Sequence, residues 1–289
     1  MKRTIARAAG MVAAILLVGR LAAFEWPVTG VNPIRLFGQR ADGALERGIL
    51  FEDAGSLRAA GHGELVMVIE RNRNMRGFPS ALGNAAIVAH DDGLVTVYGG
   101  LESINAIEGR TLVDSGALIG VAGSSAWGKS GAASFSVIDT AKRRLINPLL
   151  VLPNLADNRA PTVSGVTLVS QGNQVFPLAG ARFVRQGRYR LYAEVSDELA
   201  GRRGALAPFR VAVSVNGMET LAIPFETMEE RDGRLFLAGE RTDYQGLYEK
   251  DGRVFLGELS LARGKVDLLI SARDVAGNER NALFPLQVE

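Results

Sequence analysis

The sequence predicts a mostly β protein built from two successive antiparallel units. Three observations carry this. Apolar runs are short, rich in Val, Ile and Tyr, and bounded by glycine, which is what strands joined by turns prefer. In the second half apolar and polar residues alternate, as in Arg188-Tyr189-Arg190-Leu191-Tyr192-Ala193-Glu194-Val195, the period of a half-buried strand. Glycine supplies 34 of the 289 residues while hydrophobic residues make up 47%, a mix that suits many tight turns around full cores. The length allows about two domains.

Residues 1–23 are set aside first. Lys2, Arg3 and Arg7 open the chain, an apolar run covers 8–19, and Arg20-Leu21-Ala22-Ala23 follows. This reads as a secretory signal cleaved near Ala23. The run is short for a bilayer span, which needs ~20 apolar residues; an uncleaved N-terminal anchor is the alternative. No further segment of spanning length follows, so no transmembrane span is expected after cleavage. Losing four cations would move the formal charge from +2 to −2. No basic stripe with interleaved aromatics remains, so nucleic acid is not an expected partner. The chain has no cysteine. That excludes disulfides, cysteine zinc sites, cysteine nucleophiles and a lipid-modified cysteine. Any metal or general-base site must draw on the only two histidines, His62 and His90.

Each element follows in order. Pro27 and Pro33 hold 24–33 extended. Strands are expected at 64–69, 85–89, 94–98, 117–121 and 134–138, with a hairpin turn at Asp91-Asp92-Gly93 and a short helix or loop over 101–107. The polar stretch 154–161 (NLADNRAP) is the expected linker, dividing a first domain (24–153) from a second (162–289). Second-half strands are expected at 163–169, 188–196, 209–215, 219–224, 254–258, 266–271 and 282–288. Their spacing of ~10 residues suggests an immunoglobulin-like β-sandwich. Asp274-Val275-Ala276-Gly277-Asn278 reads as a turn before the last strand. The charged runs 228–232 (MEERD) and 250–253 read as solvated turns. The tyrosines of 243–249 (DYQGLYE) read as packing residues, with a binding patch as the alternative.

Over residues 37–148 the order of several motifs resembles one known family. Phe37-Gly38 and Gly48-Ile49 stand where it has "FG…H-x-G-x-D". Ala59-Ala60-Gly61-His62-Gly63-Glu64-Leu65 is similar to "A-A-x-x-G-x-V". Ile87-Val88-Ala89-His90-Asp91-Asp92-Gly93 with Thr96-Val97-Tyr98 is similar to "I-I-x-H-G-x-G-x-x-T-x-Y". Glu108-Gly109, Asp114-Ser115-Gly116 and Leu118-Ile119-Gly120 follow "V-x-x-G-x-x-V-x-x-G-x-x-I-G", and Phe135 and Asn147-Pro148 close the pattern. The stretch resembles the lysostaphin-type, or LytM-like, peptidoglycan metallopeptidases. The resemblance implies an antiparallel sheet of the duplicated-hybrid-motif type ahead of the sandwich.

The family holds zinc with two histidines and an aspartate and adds two catalytic histidines. Carried over by position, the metal ligands fall on Glu46, Leu50 and Ser134, and the catalytic histidines on Gly100 and Ala132. A catalytic zinc needs three protein ligands and one open position. Leucine, glycine and alanine offer no donor, serine is a poor one, and Glu46 alone cannot hold the ion. Glu46 itself reads as a solvated surface charge. His90 matches a family histidine that is not a metal ligand. His62 is expected on a different edge of the sheet, leaving both as ordinary histidines. No cofactor is expected.

The resemblance therefore implies an exported, non-catalytic pseudopeptidase of the periplasm or cell envelope. Its expected partners are a cell-wall hydrolase, another envelope protein, or peptidoglycan itself. A groove shaped for a peptide cross-link would persist, with Arg40, Glu46, Tyr98, Trp127 and Lys129 near its rim. Trp127, in a Gly/Ser-rich loop, reads as an anchor for a partner or sugar face or as a lid over the sheet edge. Two rivals stand beside this. One is an active metalloendopeptidase with a non-standard site; the neighbouring carboxylates Glu52 and Asp53 would point to opposite faces of a strand, which argues against it. The other is a carrier module, which needs a lysine at the hairpin tip where this chain has Asp91-Asp92-Gly93.

Overall fold

A computed structural model describes residues 24–41, 43–71, 80–127, 130–199, 205–237 and 244–289. Among the described residues the chain is nearly all β. The first half contains β1 (Pro33–Arg35), β2 (Arg40–Ala41), β3 (Ala44–Leu45), β4 (Ile49–Phe51), β5 (Ser56–Arg58), β6 (Gly63–Ile69), β7 (Asn84–Ala89), β8 (Leu94–Leu101), β9 (Leu112–Val113), β10 (Leu118–Val121), β11 (Ala133–Asp139) and β12 (Arg144–Ile146). The second half contains β13 (Thr162–Ser170), β14 (Val175–Pro177), β15 (Phe183–Val184), β16 (Gly187–Ser196), β17 (Arg210–Val215), β18 (Met218–Pro224), β19 (Thr227–Arg231), β20 (Arg234–Leu237), β21 (Val254–Leu261), β22 (Gly264–Arg273) and β23 (Glu279–Val288), with one helical turn, α1 (Tyr244–Leu247). The short helix expected over 101–107 is a 3-10 turn at Asn105–Ile107.

The first half is organised on one large antiparallel sheet. Its central order is β12-β11-β8-β7-β6, with β4 also on β11 and β1 on β4. Period two decides which side is core. Along β11, Ala133, Phe135, Val137 and Asp139 are buried while Ser134, Ser136 and Ile138 are half-buried. The inner face packs Ile49, Phe51, Tyr98, Phe135 and Val137, all fully buried. Burying a side chain of this size contributes about 1.5–3 kcal/mol each, so this face fixes the register. The outer face carries Leu50, Ser134 and Ser136.

The second half packs a four-stranded sheet, β14-β13-β16-β21, on a five-stranded one, β15-β23-β22-β17-β18. Pairing is antiparallel except between β15 and β23. Leu168, Leu191, Val213, Leu268 and Ile270 fill the space between them. This is the sandwich that the alternating pattern anticipates.

Two features depart from expectation. Residues 228–232 are not a solvated turn. They lie in β19, which pairs with β12 and with β20 and so extends the first half's sheet. Met228 and Leu237 are buried beneath it, while Glu229 and Arg231 pair with each other on the outside. This hairpin crosses the division expected at 154–161. The opening segment reaches the other way. Arg40 Nη1 donates to the carbonyls of Glu249 and Lys250, both at 3.0 Å, and Tyr248 Oη donates to Gly38 O at 3.0 Å. Gly38 has φ +79° and sits against the Phe225 ring, where a Cβ would collide. Tyr248 thus packs with its hydroxyl bonded, as its reading as a packing residue requires.

Candidate functional site

The sheet register brings together several of the positions singled out in the sequence. Leu50 pairs with Arg35 on one side and Ser134 on the other, Ser134 pairs with Gly99, and Gly99 pairs with Ala85. Directly paired residues share a face, so Arg35, Leu50, Ser134 and Gly99 form one row across four strands. Gly100 follows immediately and Ala132 lies one residue before β11. Leu50 and Ser134 are half-buried and Ala132 is buried.

Neither position 99 nor position 100 has room for a side chain. Gly100 has φ +79°, and a Cβ there would lie 2.6 Å from Ala132 O; a histidine at 100 would be strained as well as crowded. A Cβ on Gly99 would lie 2.6 Å from Ser134 Oγ and 3.2 Å from Leu82 Cδ2. The Leu82 side chain and the Ser134 hydroxyl therefore flank this point of the floor, and Leu82 O accepts from Gly100 N at 2.8 Å. Leu82 gave no signal in the sequence, since a lone leucine in a turn is unremarkable until the turn is seen to fold over the sheet.

Glu46 is half-buried rather than a solvated charge. Its Oε1 accepts from its neighbour Arg47 N at 3.1 Å. Burial raises its pKa above the usual carboxylate value, opposed by the Arg47 and Gly48 amides and the Arg35 charge. The carboxylate is folded back on its own backbone. With Leu50 and Ser134 as the other members, this donor set does not fit zinc.

The two histidines are not on different edges. β6 and β7 pair so that Glu64 faces Ala89, which places His62 and His90 at the same end of one hairpin. His90 Nδ1 lies 2.7 Å from His62 O, and His90 Nε2 lies 2.9 Å from Thr96 Oγ1. Its ring lies 4.6 Å from that of Phe24. The network assigns Nδ1 as donor to the carbonyl, and both nitrogens are committed. His62 points out and meets the exposed Asp114 at 3.1 Å. The partners of both imidazoles among the described residues, His62 O, Thr96 and Asp114, lie away from Leu50 and Ser134.

Tyr98 is not at a rim. It is fully buried on the inner face, accepts from Ala60 N at 2.7 Å and bonds Thr96 Oγ1 at 3.1 Å. Burial pushes its phenol up to about 12. Arg40 is committed to the second half as described above. Lys129 lies outside the described residues. Trp127 is 56% exposed, in a loop that is strapped down. Its amide donates to Ala81 O at 3.2 Å, beside Leu82. Ser125 Oγ accepts from Asn84 N at 2.9 Å and donates to Leu101 O at 2.5 Å, and Arg71 Nη1 donates to Ser125 O at 2.9 Å. The outer face thus presents Leu50, Leu82 and Ser134, and the Trp127 backbone is held one residue from Leu82.

Among solved structures the chain is similar to the following three. These are the SpoIIQ-SpoIIIAH pore forming complex (22% identity, TM-score 0.35, 45% of this chain and 91% of that one), a zinc containing peptidase from Vibrio cholerae (21%, 0.37, 46% and 41%) and lysostaphin (13%, 0.33, 77% and 85%). A protein-family model matches residues 160–289. No described helix is long and apolar enough to cross a membrane. A protein of Treponema pallidum (strain Nichols), described as an uncharacterized protein, is 47% identical over 125 residues, which cover 39% of this chain and 85% of that protein. The chain belongs to the same family as that treponemal protein.

Proposed function

We propose that the chain is an exported, non-catalytic pseudopeptidase of the cell envelope, which binds peptidoglycan or a wall hydrolase and does not cut. One observation supports this above all. The row Leu50–Ser134–Gly99 stands in register where the resemblance puts the metal, yet carries no imidazole and no free carboxylate. Leu82 and Trp127 give the same face apolar area and an anchor. Export rests on the reading of residues 1–23 as a signal, which lie outside the described residues.

Purified chain incubated with sacculi tests both parts. Sacculi should sediment the chain without releasing soluble muropeptides, with or without chelator. Trp127→Ala should weaken sedimentation about tenfold, the effect of losing one buried aromatic anchor. Chelator-sensitive release of muropeptides would overturn the proposal. An absence of sedimentation would move binding to a protein partner, read out as altered activity of a wall hydrolase.

A further inference from the structure

Away from the sheet face, three carboxylates converge where the halves meet. Asp157 comes from the 154–161 stretch, Asp197 follows β16, and Asp274 opens the turn between β22 and β23. One carboxylate oxygen from each lies within 4.8 Å of the others. Three anions this close are costly in a site withdrawn from water. Asp197 and Asp274 are only 4% and 3% exposed. No ion pair among the described residues includes any of the three.

Hydrogen bonds satisfy part of the cluster. Asp274 Oδ1 accepts from Asn278 N at 2.8 Å and Oδ2 from Asn278 Nδ2 at 2.7 Å. Asp197 Oδ1 accepts from Glu198 N at 2.9 Å, and Asp157 Oδ1 accepts from Arg159 N at 3.1 Å. Asp157 Oδ2 is different: it is sealed from solvent and has no hydrogen-bond partner among the described residues. A buried carboxylate oxygen left without a donor is rare and calls for a ligand. The three acids line a small cavity with Leu155, Leu199 and Val275, large enough for roughly one water-sized sphere.

We propose that Asp157, Asp197 and Asp274 form a calcium site that fastens the 154–161 stretch to the sandwich. The donors are all oxygen, which suits a hard cation and disfavours zinc. Bound there, the ion would satisfy Asp157 Oδ2 and tie three segments far apart in sequence. Asn278 already holds the first of them, donating from Nδ2 to Asp157 O at 3.1 Å. Asn147 and Leu149 of the first half line the same cavity, so the ion would also stiffen the junction.

The test uses the full chain, stripped with EDTA and desalted. Titration with calcium chloride should show one ion per chain with Kd at or below about 1 mM, the range of extracellular modules. Saturating calcium should raise Tm by about 5 °C, and magnesium at equal concentration by much less. Asp197→Asn should lose the calcium response. In EDTA its Tm should equal or exceed that of the unsubstituted chain, because one of three clustered charges is gone. Asp157→Asn, in a segment outside both sheets, serves if the first variant does not fold. No heat and no Tm change with calcium, an equal response to magnesium, or a full response in both variants would overturn the site.

Discussion

Tyr98 shows how much one side chain can say about the sheet face it leaves. In sequence it stands two residues before Gly100, inside the stretch that resembles a peptidase motif, and so invites a place at the groove. Strand alternation sends it the other way, into the core, where it holds Ala60 N and Thr96. Tyr98→Phe should cost about 1–3 kcal/mol in urea unfolding, because a buried amide is left without an acceptor. The folded phenol keeps its proton to about pH 12 against 10 for the free group. Between those values the folded state holds more protons than the unfolded state, so this residue's stability contribution falls as pH rises from 10 to 12. The phenylalanine variant should lack that component. That Leu50, Gly100 and Ala132 offer no metal donor is read without coordinates. Leu82, the partial burial of Glu46 and the orphaned oxygen of Asp157 were not legible in that way, because each depends on chain segments that sequence spacing does not bring together.

At the scale of elements, strands with clean alternation or glycine-bounded Val and Ile runs were legible to within a few residues. β13, β16, β17, β22 and β23 are of this kind. The hairpin β19–β20 was hidden because Glu229, Glu230, Arg231 and Asp232 look like a solvated run. Their backbone is paired, and the decisive side chains are the isolated Met228 and Leu237. Strands of two or three residues such as β1 to β5 are too short to show a period at all. The hairpin is a substantial part of the fold, since its order β20-β19-β12 completes the first sheet with residues of the second half. Met228→Ala should therefore cost about 2–5 kcal/mol, the range for emptying a buried site. It should shift one cooperative transition rather than loosen one half. An unchanged midpoint would mark the hairpin as peripheral. Helix α1 is similarly tied in, with Leu247 buried and Tyr248 reaching Gly38.

Across the whole molecule, one hydrophobic cluster runs from Phe24 through Phe225 to Val288. The halves exchange elements: the opening segment rests on the second half, and the β19–β20 hairpin rests on the first. A chain built this way presents its outer sheet face on a stiff support, which suits binding without a moving catalytic lid. The proposed function treats the row Leu50–Ser134–Gly99 as a metal cleft without its donors. Its most direct test is the metal content of the chain expressed in zinc-supplemented medium and weighed intact under native conditions. The predicted result is a mass equal to the polypeptide with far less than one zinc per chain, unchanged by chelation. A species carrying one zinc, lost on chelation and restored by added metal, would contradict it.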